Sequence, residues 1–179
     1  PLAIATINAN EIYDISPEQP NRIHVQKNEA AIADIPKDFR FVNPGKLTIA
    51  VAPTDPPLTF YASAANTPIG FAPALASAIA ASLGLALDVT PIAWIDWSLG
   101  LSSGKYDAVL ANVGVTEERK KKFDFSTYRQ GLHGFYVKND SPVQSIKEPK
   151  DISGLKIIVG AGTNQERILL RWNDELEAN

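Results

Sequence analysis

Apolar residues recur along this chain in two rhythms, every second position and every third to fourth, and the changes of rhythm mark its elements. From Lys46 the segment KLTIAV alternates Leu47, Ile49 and Val51, which predicts a strand, and PTDPP behind it cannot continue a ladder. GFAPALASAIAASLG follows, with Phe71, Leu75, Ile79 and Leu83 spaced by four, Pro73 suited to a first helical turn and Gly84 to the cap beyond the last. The spacing predicts an amphipathic helix that buries this stripe. LALDVTPI reads as a second strand, DWSLGLSS as a short helix and YDAVLANV as a third strand. Alternating strands and helices imply an α/β fold with a mainly parallel sheet.

Beyond residue 115 the pattern thins. EERKKKF predicts one or two helical turns, with Thr116 as the N-cap and Glu117 and Glu118 facing the positive end of the helix. GLHGFYVKND reads as extended, SPVQSIKEPKDISG as a polar connector, and LKIIVG as another buried strand. In AGTNQERILLRWNDELEAN, Ile168, Leu169 and Trp172 line one face of a helix. Residues 1–45 hold five of the thirteen prolines and no strong period, apart from a short helix around Val25 to Ile35 that Pro36 would stop. No internal repeat is visible. The expected division is an N-terminal extension over 1–45, a first lobe over 46–140, and a crossover with a partial second lobe over 141–179. From Pro149 onward the second unit has one strand and one helix, fewer than the roughly 40 residues that a free-standing core needs. Residues 155–179 are therefore expected to pack on a missing second-lobe segment or on a neighbouring chain.

With 179 residues, 45% of them hydrophobic, the chain can bury a sizeable core. Its net charge of −3 and pI near 5.4 exclude a global basic field, so nucleic acid is not an expected partner. No apolar run approaches the eighteen or so residues of a membrane helix. Cysteine is absent, which removes disulfide and thiolate chemistry. The chain begins at Pro1 without methionine, and a targeting segment is expected to have been removed.

The densest charge lies in NVGVTEERKKKFDFS, residues 112–126. Lys120, Lys121 and Lys122 are consecutive, point to different faces of a helix and suit a solvated surface. Arg119 follows a strand end, where open α/β sheets collect ligands, and its guanidinium reads equally as a carboxylate anchor or as half of a surface ion pair. GAGTNQ, residues 160–165, is a glycine-flanked turn at a helix start, either an anion cradle or an ordinary connection. It lacks the third glycine of a dinucleotide fingerprint and the lysine of a phosphate loop. Trp94 stands just past a strand end, where a ring could stack on a ligand or belong to the core; Trp97 is expected in the core. His24 and His133 lack metal-ligand spacing and are assigned to structure, so neither metal nor cofactor is expected. Asp55, among prolines, is explained by turn chemistry, with a role beside a cationic ligand group left open.

KLTIAVAPTDPPLTF, IGFAPALASAIAASLG, SSGKYDAVLANVGVTEERKKKFDFS and DISGLKIIVGAGTNQE together resemble the family 3 periplasmic solute-binding proteins, which feed polar amino acids to ABC importers. The resemblance implies a type II periplasmic-binding fold, a two-lobed clamshell closing on its ligand by hinge motion. It implies that Arg119 holds the ligand's α-carboxylate, that Asn112 and Gly114 offer backbone groups, and that Trp94 stacks on the ligand. It further implies that the turn at Thr163 and Asn164 donates backbone N–H groups; Asp55, placed on the same rim by the end of the first strand, stands near where an aromatic is common in the family. Serine or threonine is common in the family where Gly114 stands, and the aspartate that commonly meets the α-ammonium group would lie beyond Asn179. The implied function is an extracytoplasmic, periplasmic receptor for an amino acid or similar small carboxylate, partnered by an ABC permease and without catalysis. A cyclohexadienyl dehydratase-like enzyme and a receptor sensor domain are the alternatives on the same fold.

Overall fold

The computed structural model describes residues 14–62 and 66–178. Its elements in chain order are α1 (Glu29–Ala33), β1 (Lys46–Val51), β2 (Phe60–Tyr61), β3 (Pro68–Ile69), α2 (Phe71–Ser82), β4 (Ala86–Pro91), a 3-10 turn at Trp94–Asp96, α3 (Trp97–Ser102), β5 (Ala108–Val109), α4 (Glu117–Lys120), a 3-10 turn at Pro149–Ile152, and α5 (Asn164–Glu177). They form two compact units, the first ending at Val113 and the second starting at Gly114. That division falls inside the span expected to form the first lobe. No helix among the described residues is long and apolar enough to cross a membrane.

In the first unit, β1 is the centre of a parallel sheet ordered β4-β1-β5, with Lys46 opposite Ala86 and Ile49 opposite Ala108. Its five residues after Lys46 are all buried, so the alternation expected of KLTIAV does not describe its environment. A central parallel strand is covered on both faces, and the small or branched residues between the large ones accept that. Thr48 is buried too, its hydroxyl satisfied by Nδ2 of Asn43 at 3.0 Å. Burying Ile49 and Val51 stabilises the fold by about 1.5–3 kcal/mol each.

The helix α2 starts and stops as its sequence predicts, Pro73 lying in the first turn and Gly84 following the C-cap with φ of 68°. Its buried face is different. Ala72, Pro73, Ala76 and Ala80 face inward, and Phe71 and Ile79 are exposed. Ala76 and Ala80 pack against Leu47, Ile49 and Val51, the side chains of β1 filling the space that the alanines leave. With only Ser77 and Ser82 polar, the helix has no charged face from which to infer its orientation; packing volume chooses the stripe.

Residues before β1 join this unit. Asn28 caps α1 by accepting from the Ala31 N–H at 3.2 Å, and its own N–H donates to the carbonyl of Ser82 at 2.8 Å. The helix is shorter than the span expected around Val25 to Ile35 because the cap fixes its start at Glu29. Phe41 packs on the core cluster. Asp107, just before β5, accepts from the N–H of Val42 at 2.8 Å and of Thr48 at 2.7 Å, holding the incoming chain against β1.

Trp97 is 6% exposed, as expected of a core residue. The neighbouring Tyr106 is 3% exposed and shares its hydroxyl proton between the carbonyls of Asp96 and Trp97, at 3.1 and 2.9 Å. Gly100 leaves the room for that ring, since a β-carbon there would overlap the hydroxyl.

In the second unit, α5 is capped by Thr163, whose Oγ1 accepts from the Glu166 N–H at 3.1 Å and donates to the carbonyl of Gly160 at 2.7 Å. LKIIVG does not form the buried strand expected of it. Ile157 and Val159 are half-buried, but Ile158 is 95% exposed and the segment pairs with no strand among the described residues. The two-residue period is present, and the ladder partner that would turn it into a strand is not. Ile168, Leu169 and Trp172, expected to be covered from outside this sequence, line a cavity of about 1230 Å³ with residues 133–159 of their own unit. There the ring of Phe135 stacks on Trp172 at 6.1 Å. Asp151 accepts from the N–H groups of Lys147 and Glu148 at 2.9 and 3.1 Å, and these bonds hold its carboxyl below the usual carboxylate range.

Candidate ligand-binding site

The predicted site residues divide between the two units. In the first, Asp55 follows β1, Trp94 follows β4 and Asn112 follows β5. The three strands are parallel neighbours, so topology sets these residues at one edge, outside the carboxyl ends of the sheet. Asp55 is exposed; its carbonyl accepts from the N–H of Leu58 at 2.7 Å and of Thr59 at 2.9 Å, which is turn chemistry. Trp94 is half-buried, its ring 6.3 Å from that of Trp97 and tilted by 46°. Asn112 has φ of 53°, the left-handed region that asparagine tolerates better than most residues.

In the second unit, Thr116 accepts from the Arg119 N–H at 3.2 Å and so starts α4, as its sequence predicts. The guanidinium of Arg119 then folds back, Nη1 donating to the carbonyl of Gly114 at 2.9 Å and Nη2 to the carbonyl of Gly162 at 3.2 Å. Arg119, Gly114 and the GAGT turn, singled out separately in the sequence, meet here. Gly162 has φ of 70°, and its N–H donates to the carboxylate of Glu166 at 2.7 Å. The next residues, Thr163 and Asn164, open a fourteen-residue helix, whose first N–H groups have no intrahelical acceptor and carry its positive end.

Burial is the main cause that lowers the pKa of Arg119 from its ordinary value; the charge of Arg167 adds to it and Glu118 opposes it. Arg167, absent from the sequence reading, donates from Nη2 to Oδ1 of Asn164 at 2.8 Å, and its Nη1 stands 3.6 Å from Glu118. Its signal was the three-residue spacing from Asn164 at a helix start. Asn164 also meets Nε2 of His133 at 3.1 Å. His133 and His24 are both exposed, so the structural role assigned to them is not burial in a core. Lys120 pairs with Glu117 at 2.7 Å on the surface, in keeping with a solvated face for the lysines. No group of three or more histidine, aspartate or glutamate residues able to hold a metal ion occurs among the described residues. The chemistry on offer is anion recognition: a guanidinium aimed by two carbonyls beside a helix start.

A sequence profile of the bacterial extracellular solute-binding proteins, family 3, matches residues 47–177. The chain belongs to this family. It is 34% identical over 127 residues to the L-cystine-binding protein TcyJ of Escherichia coli strain K12, covering 70% of this chain and 47% of that protein. It thus spans about half the length of that relative. Among solved structures it resembles an ancestral arginine-binding protein bound to glutamine, with a TM-score of 0.62, 31% identity, and coverage of 74% of this chain and 58% of the other. It also resembles an ancestral amino acid-binding protein that is a precursor of cyclohexadienyl dehydratase, with a TM-score of 0.61, 28% identity, and coverage of 72% and 57%. The family 3 fold is of the type II periplasmic-binding class, and this chain carries part of it, α/β with a parallel sheet.

Proposed function

We propose that this chain is part of an extracytoplasmic receptor that captures an amino acid or similar small carboxylate and hands it to the permease of an ABC importer, without catalysis. The observation that carries the reading is Arg119, which is held at the carbonyl of Gly162 and so lies beside the start of α5. A ligand's α-carboxylate would take the guanidinium, and the N–H groups at Thr163 and Asn164 would complete its hydrogen bonding. Asn112, Gly114 and Trp94 remain ligand contacts on the strength of the family resemblance, and Asp55 on the strength of its place at the same sheet edge, facing a cationic ligand group. The lobe boundaries, 46–140 and 141–179 after an extension over 1–45, belong to the same proposal, as do periplasmic location and a removed signal peptide. The relatives' ligands, cystine, arginine and glutamine, share the α-amino acid group and differ in their side chains, which supports a site built on that group.

Calorimetric titration of the full-length protein with the twenty amino acids and L-cystine tests this, repeated with Arg119→Ala. Binding of at least one ligand, weakened roughly a hundredfold by the substitution, is expected from losing a charge-assisted pair of bonds. No binding by either protein would defeat the reading. The likeness to a dehydratase precursor favours one second reading, an elimination in the same cleft. Turnover of prephenate or arogenate by the full-length protein would replace the receptor with that enzyme.

A further inference from the structure

Arg119 shares the start of α5 with a second cation. Arg167, in the first turns of α5, is tied to Asn164 at 2.8 Å, while Arg119 is tied to Gly162 at 3.2 Å, so two guanidiniums are anchored to one short stretch. Like charges held together repel, and the positive end of α5 adds to the field. The pKa of Arg119 registers the charge of Arg167 directly. Glu166 and Glu118 both reach this place. Glu166 is bound to the Gly162 N–H at 2.7 Å and serves the helix start. Glu118, adjacent to Arg119 in sequence, approaches Arg167 only to 3.6 Å, and both side chains are more than half exposed. Such a pair holds weakly and exchanges readily for a better acceptor.

We propose that Arg167 is a second carboxylate-directed cation of this site, shared with Arg119, and that Glu118 is the internal carboxylate that a ligand's carboxylate displaces from it. The inference rests on the receptor reading above. Its consequence is selectivity for the ligand's acid group: a carboxylate meets two guanidiniums, whereas the corresponding carboxamide meets two donors with no charge to neutralise.

The test uses the full-length protein and calorimetry with each amino acid that binds, compared with its α-carboxamide. Arg167→Gln is expected to weaken the acid about fivefold, the scale of a partly exposed charge pair, and to leave the carboxamide unchanged. Arg167→Lys should restore part of the loss. Glu118→Gln should tighten the acid about twofold, because the competitor for Arg167 is removed. Equal weakening of acid and carboxamide by Arg167→Gln would make Arg167 a structural residue and overturn the proposal, as would no change in either. Wild-type binding lost in Arg119→Ala but untouched in Arg167→Gln would overturn this inference alone; no binding by wild type would overturn the receptor reading with it.

Discussion

Tyr106 sets its hydroxyl where the β-carbon of any residue larger than glycine at position 100 would have to lie. Two positions six apart in sequence therefore determine each other. Gly100 sits inside α3, where alanine is intrinsically better by about 1 kcal/mol. Overpacking costs about 1–3 kcal/mol, and with backbone anchoring the ring at Asp96 and Trp97 there is little room to relax. Gly100→Ala is expected to destabilise the first unit by about 1–2 kcal/mol in urea unfolding. In a Tyr106→Leu background the same change should be neutral or stabilising, a non-additivity that a double-mutant cycle would measure.

Alkaline pH should find the same tyrosine. Burial is the first cause raising the Tyr106 hydroxyl above its usual 10.0, with the charge of Asp96 second. The folded state therefore keeps its proton longer than the unfolded chain. Its contribution is complete below pH 10 and is lost as pH rises from there through the folded value. Unfolding midpoints should be level from pH 8 to pH 9.5 and fall above pH 10, with a smaller fall in Tyr106→Phe. Parallel curves for the two proteins would assign the effect elsewhere.

Asp107 holds two backbone N–H groups, one of them on the buried Thr48. Removing the carboxylate strands a buried donor, so Asp107→Ala should cost about 2–3 kcal/mol, and Asp107→Asn, which keeps one acceptor, about half of that. Tryptophan fluorescence during urea unfolding, with Trp94 and Trp97 reporting on this unit, would show it.

Thr163→Ala removes the side-chain cap of α5, an effect of about 1 kcal/mol that appears as roughly fivefold faster hydrogen exchange at the Glu166 amide. Thr163→Ser should restore the wild-type rate. Unchanged exchange in the alanine variant would show that the Glu166 carboxylate on Gly162 is sufficient to start the helix.

What could be read in the sequence follows from how local its causes are. Caps are local, and Thr116 and Gly84 stand where their chemistry placed them. The orientation of α2 is not local: Phe71 and Ile79 are the larger side chains, yet the alanines fit against β1 and decide the face. LKIIVG has the period of a strand, but pairing needs a second strand, which no single segment encodes. Among candidate site residues, charge and glycines singled out Arg119 and the turn at 160–165. Arg167 was not singled out, because its three-residue spacing from Asn164 says nothing of Glu118, which only the fold brings near it.

The central position of β1 also dictates an order of events on the ribosome. Lys46 waits forty residues for its partner Ala86, and Ile49 waits until Ala108 has been made. Until Ala86–Pro91 has been made both flanks of this hexapeptide lie open, and until Asp107 emerges to take the Thr48 N–H the flank towards β5 still does, so a nascent neighbour could pair with it. The same strand that organises the finished sheet is therefore a segment that synthesis leaves unpaired for tens of residues.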